Sequence, residues 1–140
     1  MTLRLATFDD IDTMRVIRQA VTENRLSDPT RATPEKYREM LDGRGKGWVW
    51  EVNGEIVGFA VADATSRSLW ALFVMPGYER RGIGRALHDA MVSWLFTLSR
   101  APIWLSTDPG TRAAHFYTQA GWTPQPPLPN GELCFSRSEF

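Results

Sequence analysis

The chain has 140 residues, the common size of one domain, with 16 Lys+Arg balancing 16 Asp+Glu; this neutrality speaks against a nucleic-acid binder held mainly by electrostatics. No apolar run approaches the roughly 20 residues of a membrane span, and Asp9, Asp10 and Asp12 stand where a signal peptide would carry its apolar core. One cysteine, Cys134, makes no internal disulfide, and with His88 and His115 it is a poor zinc ligand set, so a cytoplasmic, metal-free single domain over residues 1–140 is expected.

Leu3-Arg4-Leu5-Ala6 predicts a short strand. Thr7 is placed to cap a helix, with Asp10 three residues on, and Ile11, Met14, Ile17, Ala20 and Val21 recur at helical spacing, so a helix is predicted to about Asn24 with a solvated Arg and Asp face. Arg25 to Thr33 reads as a loop. Thr33-Pro34 opens a second helix with Tyr37, Met40 and Leu41 on one face, ended by Gly43, Gly45 and Gly47. From Trp48 the period becomes two: strands Trp48–Val52 and Ile56–Ala62 flank the tight-turn dipeptide Asn53-Gly54, and Leu69–Val74 completes an antiparallel meander. Ile83, Leu87, Ala90, Met91, Trp94, Leu95 and Leu98 mark the longest amphipathic helix. A strand at Ile103–Ser106, a helix from Thr111 to Ala120 stopped by Gly121, a loop from Pro124 to Pro129 and a strand at Glu132–Arg137 complete a mixed α/β chain.

The chemistry concentrates at Glu79-Arg80-Arg81-Gly82-Ile83-Gly84-Arg85, between the third meander strand and the long helix. Unpaired N–H groups and a partial positive charge at a helix start suit a pyrophosphate, provided that side chains stand clear, as Gly82 and Gly84 allow. Arg80, Arg81 and Arg85 supply donors of matching geometry. A nucleotide P-loop is excluded, because no Gly-Lys-Ser/Thr follows. A dinucleotide fingerprint fails at Leu87, where a third glycine would stand. A solvated turn and a phosphate cradle both remain open on these residues alone.

The order strand, helix, helix, meander, glycine loop, long helix, strand, helix, strand resembles the GCN5-related N-acetyltransferases over nearly the whole chain. Their Gln/Arg-x-x-Gly-x-Gly/Ala loop falls on Glu79 to Gly84, with Glu79 departing at the first position. Thr111 to Trp122 is similar to their Asn-x-x-Ala-x-x-Phe-Tyr followed by Gly-Phe, matching at Ala113, Phe116, Tyr117, Gly121 and Trp122, with Gly110 where the Asn is usual. The resemblance implies acetyl transfer from acetyl-CoA to an amine of a small molecule or peptide by direct attack. Coenzyme contacts would come from the backbone of Phe73, Val74 and Met75, from Arg80, Arg81, Gly82, Ile83, Gly84 and Arg85, and from Thr111 in place of the Asn. It also implies Tyr117 as the general acid for the departing thiolate, an acceptor site shaped by residues 25–41, and a fold that commonly forms homodimers. A catalytically silent acyl-CoA sensor is the alternative from another class.

A base for the amine is left open among Glu23, Asp63 and Asp108. His88 is expected off the apolar stripe, at the surface or as a satisfied histidine; His115 is expected likewise, and Cys134 as a small buried filler. Trp48, Trp50 and Trp70 are candidates to line the acceptor pocket.

Overall fold

The computed structural model describes residues 2–21 and 32–139. The expected Arg25–Thr33 loop lies almost entirely outside the described residues, as does Glu23. Seven strands form one sheet: β1 (Thr2–Leu5), β2 (Gly45–Val52), β3 (Glu55–Asp63), β4 (Ser68–Val74), β5 (Ile103–Thr107), β6 (Thr123–Gln125) and β7 (Leu133–Arg137), in the order β1-β2-β3-β4-β5-β7-β6. Helices α1 (Ile11–Ala20) and α2 (Pro34–Glu39) cover one face, and α3 (Ile83–Leu98) and α4 (Arg112–Gln119) cover the other.

The meander is as its period of two requires. Phe59 and Val61 of β3 are buried with α1 and α2, while Ala60 and Ala62 between them are buried with Leu87, Met91 and Leu95 of α3. Burying a side chain of that size contributes roughly 1.5–3 kcal/mol. The small residues of β3 let the long helix lie close on the middle of the sheet.

Three boundaries differ from expectation. α1 ends at Ala20, and Val21 is already extended with ψ 115°. Gly45 and Gly47 do not end a helix but lie in β2. A Cβ at Gly45 would stand 2.0 Å from the Ala62 carbonyl oxygen, so the close approach of backbone, and not a turn, requires that glycine. Thr123–Gln125, expected partly as loop, is the edge strand β6, where a proline is tolerated because no ladder partner needs its N–H.

Two features of β4 open the middle of the sheet. Val61 pairs with Ala71 but Ala62 with Leu69, so Trp70 is an extra residue, a bulge that bends the strand. On its other side β4 meets β5 in parallel at one pair only, Ser68 with Trp104, after which the two strands diverge. That junction is held by Arg67, whose guanidinium donates to the carbonyls of Leu95 (3.2 Å), Ser99 (2.9 Å), Ala101 (2.6 Å) and Pro102 (3.4 Å) at the end of α3.

Candidate active site

The gap between β4 and β5 has a cavity on each side. One, of about 410 Å³, is lined by the start of α3 and by Glu79, Arg80, Arg85 and Arg112. The other, of about 380 Å³, is lined by Arg18, Trp70, Trp104, Glu132, Cys134 and several hydroxyl side chains. Leu72, Phe73, Ala113 and Tyr117 line both, so the two cavities meet where β4 passes α4.

The helix start is built as a cradle. Gly82 precedes α3 with φ +81°, a left-handed conformation that a side chain would strain, and nothing lies within 4 Å of where its Cβ would be. The first-turn N–H groups of Ile83, Gly84 and Arg85 have no carbonyl of their own helix to bond. Arg80 and Arg85 line the cavity. Arg81 does not: its guanidinium stacks over the Tyr78 ring, 5.1 Å from the centroid. The side chain of Ile83 is core, only 2% exposed, so its backbone alone faces the cradle.

Glu79, which stands where Gln or Arg is usual, is absorbed into the loop. Its carboxylate accepts from the Gly77 N–H and lies 3.5 Å from Arg112, and backbone N–H groups hold its carboxyl below the usual range. Arg112 is a cavity cation that the sequence reading missed. Thr111 is committed to capping α4: its hydroxyl donates to the Asp108 carbonyl (3.0 Å) and accepts from the Ala114 N–H (3.3 Å). It lines neither cavity.

On β4, the Met75 N–H donates to the Val57 carbonyl (2.8 Å) and its carbonyl accepts from Tyr78 (3.0 Å). Successive peptide groups of a strand point to opposite sides, so Phe73 and Met75 face β3, while Leu72 and Val74 turn their N–H and C=O groups into the gap. Of the three backbone positions expected to pair with a ligand, only Val74 has groups turned that way, and Leu72 joins it.

Tyr117 is 7% exposed, packed among His88, Phe116, Trp122 and Phe135 with ring centroids 5.4–6.4 Å away. Burial pushes its phenol well above the usual tyrosine range, so it is a hydrogen-bond donor at any working pH. His88 is not off the stripe. It is fully buried on α3 and accepts from Trp122 Nε1 at 2.9 Å, while Nδ1 meets Asp89 Oδ1 at 2.9 Å. It is the satisfied histidine, and burial holds its pKa below 6.5. His115 is exposed. Cys134 is half-buried and lines the second cavity, so it is not a core filler.

The acids considered as bases separate clearly. Asp63 is held by Arg44 (3.0 Å) and by the N–H groups of Thr65 and Ser66; these contacts outweigh burial and keep its carboxyl below the usual range. Asp108 is buried but lines neither cavity. Glu132, singled out by no motif, is the one carboxylate among the described residues lining the second cavity. Of the tryptophans considered, Trp70 lines that cavity, whereas Trp48 packs against Trp94 in the core (5.9 Å). Trp50 lines neither cavity. Among the described residues no three His, Cys, Asp or Glu side chains gather as a metal site, and no helix is long and apolar enough to cross a membrane.

A mixed sheet opened between two parallel central strands, with a bare helix start on one side of the opening, is the acyl-CoA N-acyltransferase fold. Residues 12–122 match the acetyltransferase (GNAT) family, and the chain belongs to it. The GNAT-family acetyltransferase from Staphylococcus aureus Mu50 superposes with TM-score 0.82 at 18% identity, covering 98% of each chain. The PaiA N-acetyltransferase from Thermoplasma acidophilum, in complex with coenzyme A, gives 0.80 at 14% identity over 99% of each. In sequence, the chain is 44% identical over 50 residues to the peptidyl-lysine N-acetyltransferase YiaC of Escherichia coli (strain K12), a match spanning 36% of this chain and about a third (34%) of that protein.

Proposed function

We propose that the chain is a single-domain, cytoplasmic, metal-free enzyme. It transfers an acetyl group from acetyl-CoA to an amine of a small molecule or peptide, by direct attack in a ternary complex. The observation that carries this reading is the meeting of the two cavities at Leu72, Phe73, Ala113 and Tyr117. A thioester entering from the arginine side and an amine from the other would come together only there. The peptide substrate named for the YiaC relative is compatible with the amine acceptor.

On this reading the N–H groups at the start of α3, with Arg80, Arg85 and Arg112, hold the pyrophosphate. The gap-facing groups of Leu72 and Val74 pair with the pantetheine arm as an added strand would. The Val74 N–H donates to the thioester oxygen as negative charge grows on it. The amine nitrogen bonds to the carbonyl carbon, the carbon–sulfur bond breaks, and the electron pair leaves with sulfur. Tyr117 stabilises that sulfur. Because its acidity is low and a thiol of pKa near 8.5 leaves readily, its contribution is about 10- to 100-fold, at or below the low end for general acids. An amine of pKa near 10 is about one part in a thousand neutral at pH 7, and on this reading Glu132, which lines the second cavity, takes its proton.

Thiol release from acetyl-CoA across a panel of amines tests the reaction. Tyr117→Phe is expected to lower kcat about 10- to 100-fold with coenzyme A affinity little changed. Glu132→Gln is expected to lower kcat/KM at pH 7 about 10- to 100-fold with coenzyme A affinity unchanged. Coenzyme A binding without thiol release from any amine would make the chain a sensor instead, and no binding at all would overturn the reading.

A further inference from the structure

α1 was expected to turn its arginines to solvent, yet Arg18 lies over β4. Its guanidinium carbon is 5.0 Å from the Phe73 ring centroid and 5.8 Å from that of Trp70, and the side chain lines the second cavity. The bulge makes this possible, because the extra residue brings Trp70 to the same face as Ala71 and Phe73. Two rings then form a floor over which the guanidinium lies.

The guanidinium is incompletely bonded there. Arg18 Nη1 is shielded from solvent and has no hydrogen-bond partner among the described residues. Beside it, the hydroxyl of Tyr37 is likewise shielded, on a residue 0% exposed whose ring packs edge-on against Trp70 at 4.9 Å. Burial raises the Tyr37 phenol, and the charge of Arg18 and a hydrogen bond from its guanidinium oppose that rise, so the two groups face one another. A guanidinium N–H shielded from solvent and bonded to no carboxylate or carbonyl normally meets a ligand or water. Of these two groups only Arg18 lines the cavity, and the complement of its planar guanidinium is a carboxylate.

We infer that the acceptor is an amine that also carries a carboxylate, held by Arg18 on the Phe73–Trp70 floor with Tyr37 behind it. Phe73 lines both cavities, so the anion is bound close to the point where they meet. Amine and carboxylate are therefore separated by few bonds, as in a free amino acid or the terminal residue of a short acidic peptide. Glu132, lining the same cavity, is of the opposite sign and suits the ammonium end. The inference rests on the proposed acetyl transfer for the amine but not for the anion.

The test pairs each of a series of α-, β- and γ-amino acids with its carboxamide in the thiol-release assay, and titrates the same compounds by tryptophan fluorescence. The carboxylates are expected to exceed the carboxamides by about 10- to 100-fold in kcat/KM, as one or two charge-assisted hydrogen bonds imply. That advantage is expected to collapse in Arg18→Gln and to return in part in Arg18→Lys. Coenzyme A titration reports whether each variant is folded. Equal or better use of the carboxamides, or an advantage that survives Arg18→Gln, overturns the inference. If no amine is acetylated, the proposed function fails, and the fluorescence titration still decides: tighter carboxylate binding that Arg18→Gln removes supports the anion site, and its absence refutes it.

Discussion

Replacing Gly84 with alanine separates the stability of α3 from the binding role of its first turn. Gly84 is the second residue of the helix, and an added Cβ would meet only Val74 Cγ2, at 3.7 Å, an ordinary contact. Alanine is favoured over glycine inside a helix by up to about 1 kcal/mol; the first turn realises part of this, so about 0.5 kcal/mol is expected. At about 2.1 cal/mol/K per residue, a chain of 140 residues unfolds with an entropy near 0.3 kcal/mol/K, so Tm rises by about 2 °C. The same methyl group stands among the N–H groups of Ile83, Gly84 and Arg85. Loss of one charge-assisted hydrogen bond there weakens coenzyme A by about 10- to 100-fold. Thermal unfolding and calorimetric titration of one preparation measure both effects. A raised Tm with unchanged affinity would remove the pyrophosphate from this turn, and a lowered Tm would contradict the open space around Gly84.

Two further outcomes concern stability. His88 is neutral in the fold with its pKa below the unfolded value near 6.5, so its contribution is complete above that value and is lost as pH falls below it, at up to about 1.4 kcal/mol per pH unit. Denaturant unfolding between pH 7.5 and 5.5 should show this slope in the parent and not in His88→Gln; a parent whose stability is flat in that range would refute it. Arg67→Ala removes four donations to carbonyls at the end of α3 and should cost about 2 kcal/mol, or about 7 °C in Tm. A change under 1 °C would show that the carbonyls are served equally well by water.

The meander, the long helix and both motifs were legible because each rests on local periodicity or on a turn whose residue types are dictated by backbone angle. What was hidden depends on distant chain. Gly45 looks like a helix stop until β3 is beside it, and Thr123–Gln125 is too short and carries Pro124 at an edge where no N–H is needed. His88 is drawn inward by Trp122, 34 residues on, whose indole N–H needs an acceptor. Arg18 reads as one more solvated arginine, since only the bulge at Trp70 gives it two rings to lie on. The glycine loop precedes α3 and Thr111 caps α4, but Arg81 and Thr111 have side chains engaged in the loop and the helix cap. Motif spacing fixes the backbone path and leaves the direction of individual side chains to their neighbours.

The lone pairing of Ser68 with Trp104 makes β4 an interior strand that is also, along one side, an edge. Its amides should therefore divide in hydrogen exchange, with Phe73 and Met75 slow and Leu72 and Val74 fast, although all four lie in the middle of the sheet. A bare edge ordinarily invites other chains to add strands. Here it is recessed between α4 and α1, where a narrow extended molecule can reach it and a second sheet cannot. The protein thus keeps an unsatisfied strand at its centre without exposing one at its surface, and occupancy of the gap can be read amide by amide as the alternation disappears.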